Sequence, residues 1–299
     1  MPTAAASCGL QLVDLMTKYY ELAGVGIAVR IADELMYTNE RYMAPYRVEM
    51  VSDPHVFDFE LVESLPEPAG NRVASGASFA VYQNGERTLR YIGAVQENLE
   101  NAYMCVMHYG REHRVFLKRS YFPEQISAKI VLSCIAAEHL IAQNGGFIFH
   151  SSYIEIDGKA VLFTAPSQTG KSTQADLWHR LRGAAIHNGD RSAVRWVDGQ
   201  AWVYGIPFSG SSGICENVTL PLSAIVYLKQ APQTTIRRLR GAESFRRVWE
   251  GCSVNTWDRN DVDRISETVM AVLSAVPVYE LSCTPDESAI IALEGVLNK

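Results

Sequence analysis

Nothing in this chain of 299 residues reads as a membrane span, because no apolar run approaches the roughly 18 to 20 residues that a bilayer crossing requires. The first dozen residues also lack the basic flank and continuous apolar stretch of a secretory signal. The expectation is a cytoplasmic protein with no membrane partner. Close cysteine pairs are missing too. Cys8, Cys105, Cys134, Cys215, Cys252 and Cys283 are scattered, so neither a zinc site nor a disulfide framework is suggested, and reduced packing thiols are expected. Positive charge is in short supply. The 27 Lys and Arg against 33 Asp and Glu leave a net charge of −6, a balance that repels a phosphate backbone and argues against nonspecific nucleic-acid binding. A small nucleotide held at one focused site remains compatible with it. No internal repeat or low-complexity tract is present.

What the chain does have is apolar content, 47% of residues, enough for one large core or two modest ones, and its length favours two domains. The front reads as β-rich: extended segments at 24–31, 78–82, 88–92 and 102–107 are separated by turn chemistry such as Asn84-Gly85 and Pro66-Glu67-Pro68-Ala69-Gly70. No catalytic spacing stands out in it. From Pro123 the pattern becomes helical, with Ile126, Ile130, Val131, Cys134, Ile135, Ala137 and Ile141 at helical spacing and a stop at Gly145-Gly146. The domains are therefore placed at 1–122 and 123–299.

In the second half, 147–156 and 160–165 read as strands joined by a tight turn at Asp157-Gly158. A helix over 171–181 follows, with Leu177, Trp178 and Leu181 inward. Strands are expected at 184–187, 192–197, 201–208 and 224–228, with a second tight turn at Asp198-Gly199. An arginine-bearing stretch, helices at 242–250 and 261–276, a strand at 277–281 and a last helix opening on Thr284-Pro285-Asp286-Glu287 complete the α/β pattern. Trp202 and Tyr204 alternate with apolar neighbours and read as core.

Between the strand Val161-Leu162-Phe163 and the helix stands Ala165-Pro166-Ser167-Gln168-Thr169-Gly170-Lys171-Ser172-Thr173. It has the spacing of a Walker A phosphate loop except that alanine replaces the first glycine. The chemistry accounts for the residue types. Successive backbone N–H groups and the first helical turn point at a β-phosphate, Gly170 allows close approach, Lys171 neutralises β/γ charge and Ser172 offers a magnesium ligand. Ser167, Gln168, Thr169, Gly170, Lys171, Ser172 and Thr173 are the expected nucleotide-binding residues. Alanine at 165 is tolerated where φ is negative. A motor or transport ATPase would need an apolar strand ending in aspartate, but 224–228 runs into Lys229.

The second half, about 130–299, resembles the HPr kinase and phosphoenolpyruvate carboxykinase-like superfamily, and within it the HPr-kinase-related proteins found beside peptide-modifying enzymes. Phe149-His150-Ser151, the loop, His187-Asn188-Gly189-Asp190 and the segment Tyr204-Gly205-Ile206-Pro207-Phe208-Ser209-Gly210 carry the resemblance. It implies a mixed-sheet P-loop kinase domain preceded by a smaller β-rich domain, and a kinase using Mg²⁺ with ATP or another phosphoryl donor. The implied acceptor is a serine or other hydroxyl, with a peptide or protein favoured over a small molecule. The family's frequent oligomerisation carries over as an expectation of self-association.

The resemblance also implies roles for individual residues. Asp190 becomes proton acceptor, metal anchor or both, His150 a partner for the γ-phosphate or the acceptor, and Glu216 a further metal carboxylate. The metal set is thus Ser172, Asp190 and Glu216, and the catalytic set Asp190, Lys171 and His150. The family usually carries two adjacent aspartates where this chain has Gly189-Asp190. That departure leaves open an alternative, a catalytically reduced nucleotide-binding module that recognises a peptide or partner protein. Among Arg237, Arg238, Arg240, Arg246 and Arg247, one of the first three is expected beside the nucleotide and the others on a solvated face. The glycines and serines of 209–213 suggest a loop that covers or releases substrate.

Overall fold

The computed structural model describes residues 15–32, 35–38, 40–96, 98–122, 125–210 and 212–297. The domain boundary expected at Pro123, the first dozen residues and Cys8 lie outside the described residues. The chain divides into two compact units, Met1–Tyr20, Gly26–Glu40 and Val48–Val131 in one, and Glu21–Val25, Arg41–Arg47 and Leu132–Lys299 in the other. Contacts thus separate within a helix rather than at one cut, and two short early pieces belong with the second unit.

The early strands form a nine-stranded mixed sheet in the order Arg47–Val48, Leu15–Leu22, Val25–Ala32, His55–Val62, Glu112–Lys118, Ala102–Tyr109, Arg87–Gly93, Phe79–Asn84, Asn71–Gly76. His55–Val62 pairs in parallel with Val25–Ala32 and with Glu112–Lys118. From Glu112–Lys118 through Ala102–Tyr109, Arg87–Gly93 and Phe79–Asn84 to Asn71–Gly76, successive neighbours pair antiparallel.

The second unit is built on a ten-stranded mixed sheet. Its axis is the twelve-residue strand Thr219–Gln230, longer than the expected 224–228. The first half of that strand pairs antiparallel with Gln200–Gly205, and the second half runs parallel to Lys159–Thr164 on one side and Val278–Cys283 on the other. Both faces are covered. Along Lys159–Thr164, Ala160 and Leu162 enter one core while Val161 and Phe163 enter the other, as the period of two in a strand demands.

Six helices are described: α1 Ala128–Cys134, α2 Ala137–Gln143, α3 Lys171–Arg182, α4 Gly241–Trp249, α5 Arg259–Ala275 and α6 Glu287–Leu297. Ala142, Val248, Ile265 and Val269 bring α2, α4 and α5 to one core; Leu177, Trp178, Ile290 and Leu293 bring α3 and α6 to the other. No helix among the described residues is long and apolar enough to cross a membrane.

Several expectations need correction. The apolar run from Ile126 to Ile141 is not one helix but a short strand, Gln125–Ser127, followed by α1 and α2, because buried Ala136 takes a left-handed backbone with φ 50° that no helix can pass through. The stretch 147–156 is two strands, Gly146–His150 and Ser152–Ile156, that pair with different neighbours. Leu181 is exposed, unlike Leu177 and Trp178. The cap of α6 is Asp286, whose carboxylate accepts from Ser288 N at 2.9 Å, while Thr284 donates its hydroxyl to the same side chain. Trp202 and Tyr204 are half-buried, with Ala201 and Val203 between and beside them taking the core positions. The turns at Asp157-Gly158 and Asp198-Gly199 have positive φ at both residues, as such hairpins require.

Candidate active site

Two strand breaks at the same level build the site. The chain leaves one neighbour for another at Ser151, between Gly146–His150 and Ser152–Ile156. It does so again at Gly189-Asp190, between Ala185–Asn188 and Arg191–Val197. The breaks are joined by a hydrogen bond from Ser151 N to Asp190 O at 3.0 Å. Because His150 and Arg191 are register partners, Asp190 comes beside His150, with Nε2 and Oδ1 3.9 Å apart.

Asn188 fixes Asp190 in place. It is fully buried, and its Oδ1 accepts from Asp190 N at 2.9 Å and from Arg191 N at 3.0 Å, closing an Asx turn. Its Nδ2 donates to Ile206 O at 3.1 Å and Phe208 O at 3.2 Å, so the same side chain ties down the segment that follows Gly205.

Strand Lys159–Thr164 delivers the phosphate-binding candidate. Ala165 has no positive φ, so alanine in place of glycine introduces no backbone strain there. Gln168 and Gly170 do have positive φ, 65° and 114°, and Gly170 is the N-terminal cap of α3 with no side chain bonded to the first amides of the helix. Ser167, Gln168, Ser172 and Thr173 are exposed, Thr169 and Gly170 half-buried. Lys171 is buried, and its Nζ donates across the loop to Ala165 O at 3.1 Å.

Lys171, His150 and Asp190 feel one another electrostatically. Burial lowers the Lys171 pKa from its ordinary value and the Asp190 charge opposes this. Burial and then Lys171 push His150 down, with Asp190 acting in the opposite sense. The three candidates from three separate segments are therefore gathered into one neighbourhood, with a lysine cation, an imidazole biased toward neutrality and a carboxylate.

Glu216 sits differently. Its carboxylate meets His187 Nδ1 at 2.7 Å, and His187 Nε2 meets Glu155 at 2.9 Å on its other side, so Glu216 is held in a Glu-His-Glu clasp. The main chain repeats the link, from Glu216 N to His187 O at 2.8 Å. The glycine- and serine-bearing segment before it is packed onto the site. A Cβ on Gly210 would stand 3.0 Å from Asp190 Cβ, and one on Gly189 would stand 2.3 Å from Ser212 Oγ. Ser211 lies outside the described residues.

Two clefts flank the loop. One, of about 520 Å³, is lined by Gln168, Thr169, Gly170 and Thr173 with Leu228, Pro232 and Pro285. The other, of about 480 Å³, is lined by Ala165, Pro166, Ser167 and His150 with Tyr227, Arg247 and Cys252. The arginine that shares a cleft with the loop is thus Arg247, which reads in the sequence as part of a solvated helix face. Arg237, by contrast, is occupied by Glu243 and Glu280, and Arg238 and Arg240 line a separate groove.

Cys105, Cys134, Cys215, Cys252 and Cys283 are free thiols. Outside the site, His139 meets Asp261 at 2.8 Å with Asp258 at 3.9 Å, but Asp258 is already the cap of α5 and Asp261 also accepts from Asn255, so this cluster is structural in its contacts.

Neither a protein-family profile nor a curated protein matches the sequence. Among solved structures, the HPr(Ser) kinase/phosphatase from Coxiella burnetii is similar over 50% of this chain and 93% of its own, at 13% identity and a TM-score of 0.28. So weak a likeness assigns this chain neither a function nor a site.

Proposed function

We propose that the chain is a magnesium-dependent kinase that holds a nucleoside triphosphate on 167–173 and transfers its γ-phosphoryl group to a hydroxyl on a peptide, protein or small molecule. The observation that carries the reading is the convergence of Lys171, His150 and Asp190, with His150 Nε2 3.9 Å from Asp190 Oδ1, next to a loop of Walker A spacing. Phosphoryl transfer asks little more of a protein than positioning and charge stabilisation.

In the reaction, Asp190 takes the proton of the acceptor hydroxyl as its oxygen bonds to the γ-phosphorus and the bond to the β-bridging oxygen breaks. The nucleoside diphosphate leaves. Lys171 neutralises charge gathering on the phosphate oxygens, and the backbone amides at the start of α3 donate hydrogen bonds to the β-phosphate. His150, biased toward the neutral form, donates or accepts one hydrogen bond without adding a second cation beside Lys171.

The donor set fits a hard cation. Ser172 offers an exposed hydroxyl and Asp190 a carboxylate, the oxygen chemistry that Mg²⁺ takes while keeping several waters. Bound there, the ion would neutralise β/γ charge. Glu216 does not fit this set as it stands, since its carboxylate is engaged by His187.

Gly189 motivates the second reading, a nucleotide-binding module without turnover, because Ser212 fills the space a second aspartate would need. One experiment separates the two: γ-labelled ATP and Mg²⁺ with serine peptides and small hydroxyl compounds, for wild type, Lys171→Ala and Asp190→Asn. Transfer abolished in both variants supports the kinase. Nucleotide binding with no transfer to any acceptor supports the module.

A further inference from the structure

The cleft on the His150 side of the loop contains a guanidinium that is already oriented. Arg247 lies over the Tyr227 ring with its Cζ 4.3 Å from the centroid, and its NH1 donates to Tyr227 Oη at 3.2 Å and to Glu250 Oε2 at 3.1 Å. Stacking and two hydrogen bonds leave the fork little rotational freedom, so a ligand would meet a preorganised donor. Its NH2 makes no hydrogen bond among the described residues and stands 3.9 Å from Glu280, beyond hydrogen-bond range, and Nε is buried without a partner. NH2 is therefore the donor group left to a ligand, since the buried Nε is out of its reach.

The position of the cleft matters as much as the charge. His150, whose ring reaches within 3.9 Å of Asp190, is part of its wall, so a hydroxyl entering here approaches the carboxylate assigned to take its proton. The cleft on the other side of the loop is bordered by Leu228, Pro232 and Pro285 together with Lys229, Gln230 and Thr284, a mixed lining that suits a nucleobase with its polar edges. Resting on the kinase reading above, we propose that the cleft of Arg247, Tyr227 and His150 is the acceptor subsite, and that the acceptor presents a carboxylate close to its reacting hydroxyl, which Arg247 binds. The carboxylate is either the α-carboxylate of a hydroxy amino acid or an acidic side chain beside a peptidyl serine.

Three probes distinguish these sources: N-acetyl-L-serine, which has an α-carboxylate; acetyl-Ser-Asp-amide, which has only a side-chain carboxylate; and neutral N-acetyl-L-serinamide. Binding of each is followed by NMR titration of the full chain with MgADP present, for wild type, Arg247→Gln and Arg247→Lys. MgATP affinity and the melting temperature are measured on the same preparations.

At least one carboxylate probe is expected to bind wild type ten-fold or more tightly than the amide. That preference is expected to vanish in Arg247→Gln and to be partly kept in Arg247→Lys, with MgATP affinity changed less than about three-fold. The probe that binds identifies the source. Equal binding of all three probes to wild type overturns the proposal, as does a loss of MgATP affinity in Arg247→Gln that matches the loss of probe, which would assign Arg247 to the phosphate chain. Failure of wild type to bind MgATP would instead strike the kinase reading itself.

Discussion

Gly189 passes so close beneath Ser212 that a Cβ added to it would stand 2.3 Å from Ser212 Oγ and 3.1 Å from Ser212 Cβ. The contact couples the turn that carries Asp190 to the segment lying over it. Gly189→Ala is expected to destabilise the protein by about 1–3 kcal/mol, as overpacking does, or to displace that segment. Ser212→Gly in the same chain is expected to recover most of the loss, a coupling that a double-mutant cycle in denaturant reads directly. Gly189→Asp, which sets a second carboxylate beside Asp190 and against Ser212, is expected to lower transfer rather than raise it.

Asn188 uses its side chain four ways in a fully buried position, accepting from two backbone amides and donating to two carbonyls. Asn188→Ala leaves those groups unsatisfied and is expected to cost about 2–4 kcal/mol in chemical denaturation. Asn188→Asp keeps the acceptor but turns a carboxylate oxygen toward Ile206 O and Phe208 O. Its destabilisation is expected to be of similar size and to lessen as the pH is lowered.

His150 is held below its ordinary value of 6.5 by burial and by the Lys171 charge. The folded state therefore binds fewer protons than the unfolded chain just below pH 6.5, so the contribution of His150 to stability is complete above 6.5 and falls as the pH drops through the depressed value. Transfer is expected to follow the same sense, steady above pH 6.5 and declining in acid. A His150→Gln variant should lose part of that acid dependence in both thermal melts and initial rates.

Ala165 has no positive φ, so restoring the missing glycine should bring no relief of strain. Ala165→Gly is expected to reduce stability by about 0.4–1 kcal/mol through added freedom in the unfolded chain. Nucleotide affinity should change little. A marked gain in affinity would show that the loop needs a backbone conformation that alanine resists.

The loop and its flanking elements are legible in the sequence because their requirements are local: an apolar strand, a residue with positive φ at Gly170 and a helix start at Lys171. Both hairpin turns are legible for the same reason. The break at Gly189-Asp190 is legible as well, falling between the strands expected at 184–187 and 192–197, but the break at Ser151 is not, since 147–156 is continuously strand-like and only pairing to distant neighbours decides where it changes partner. Nor is the split between α1 and α2, which depends on the left-handed backbone of Ala136, a residue type that usually favours helix.

Arg247 is hidden for a related reason. Its spacing to Glu250 reads as an ordinary ion pair on a helix face, and only the fold brings Tyr227 beneath it and the loop beside it. Tyr227 in the apolar strand carries no signal of the cleft either, because its meeting with Arg247 is tertiary. Glu216 shows the converse. Its place after the glycine-rich segment invites a metal role, whereas the neighbouring strand supplies His187 to engage it.

Calorimetric titration of MgATP into wild type and Lys171→Ala reads whether the loop that runs into Lys171 binds nucleotide phosphates. Measurable binding to wild type that weakens at least ten-fold in a Lys171→Ala chain with an unchanged melting profile is the predicted result. No binding to wild type, or equal binding to both, would contradict it.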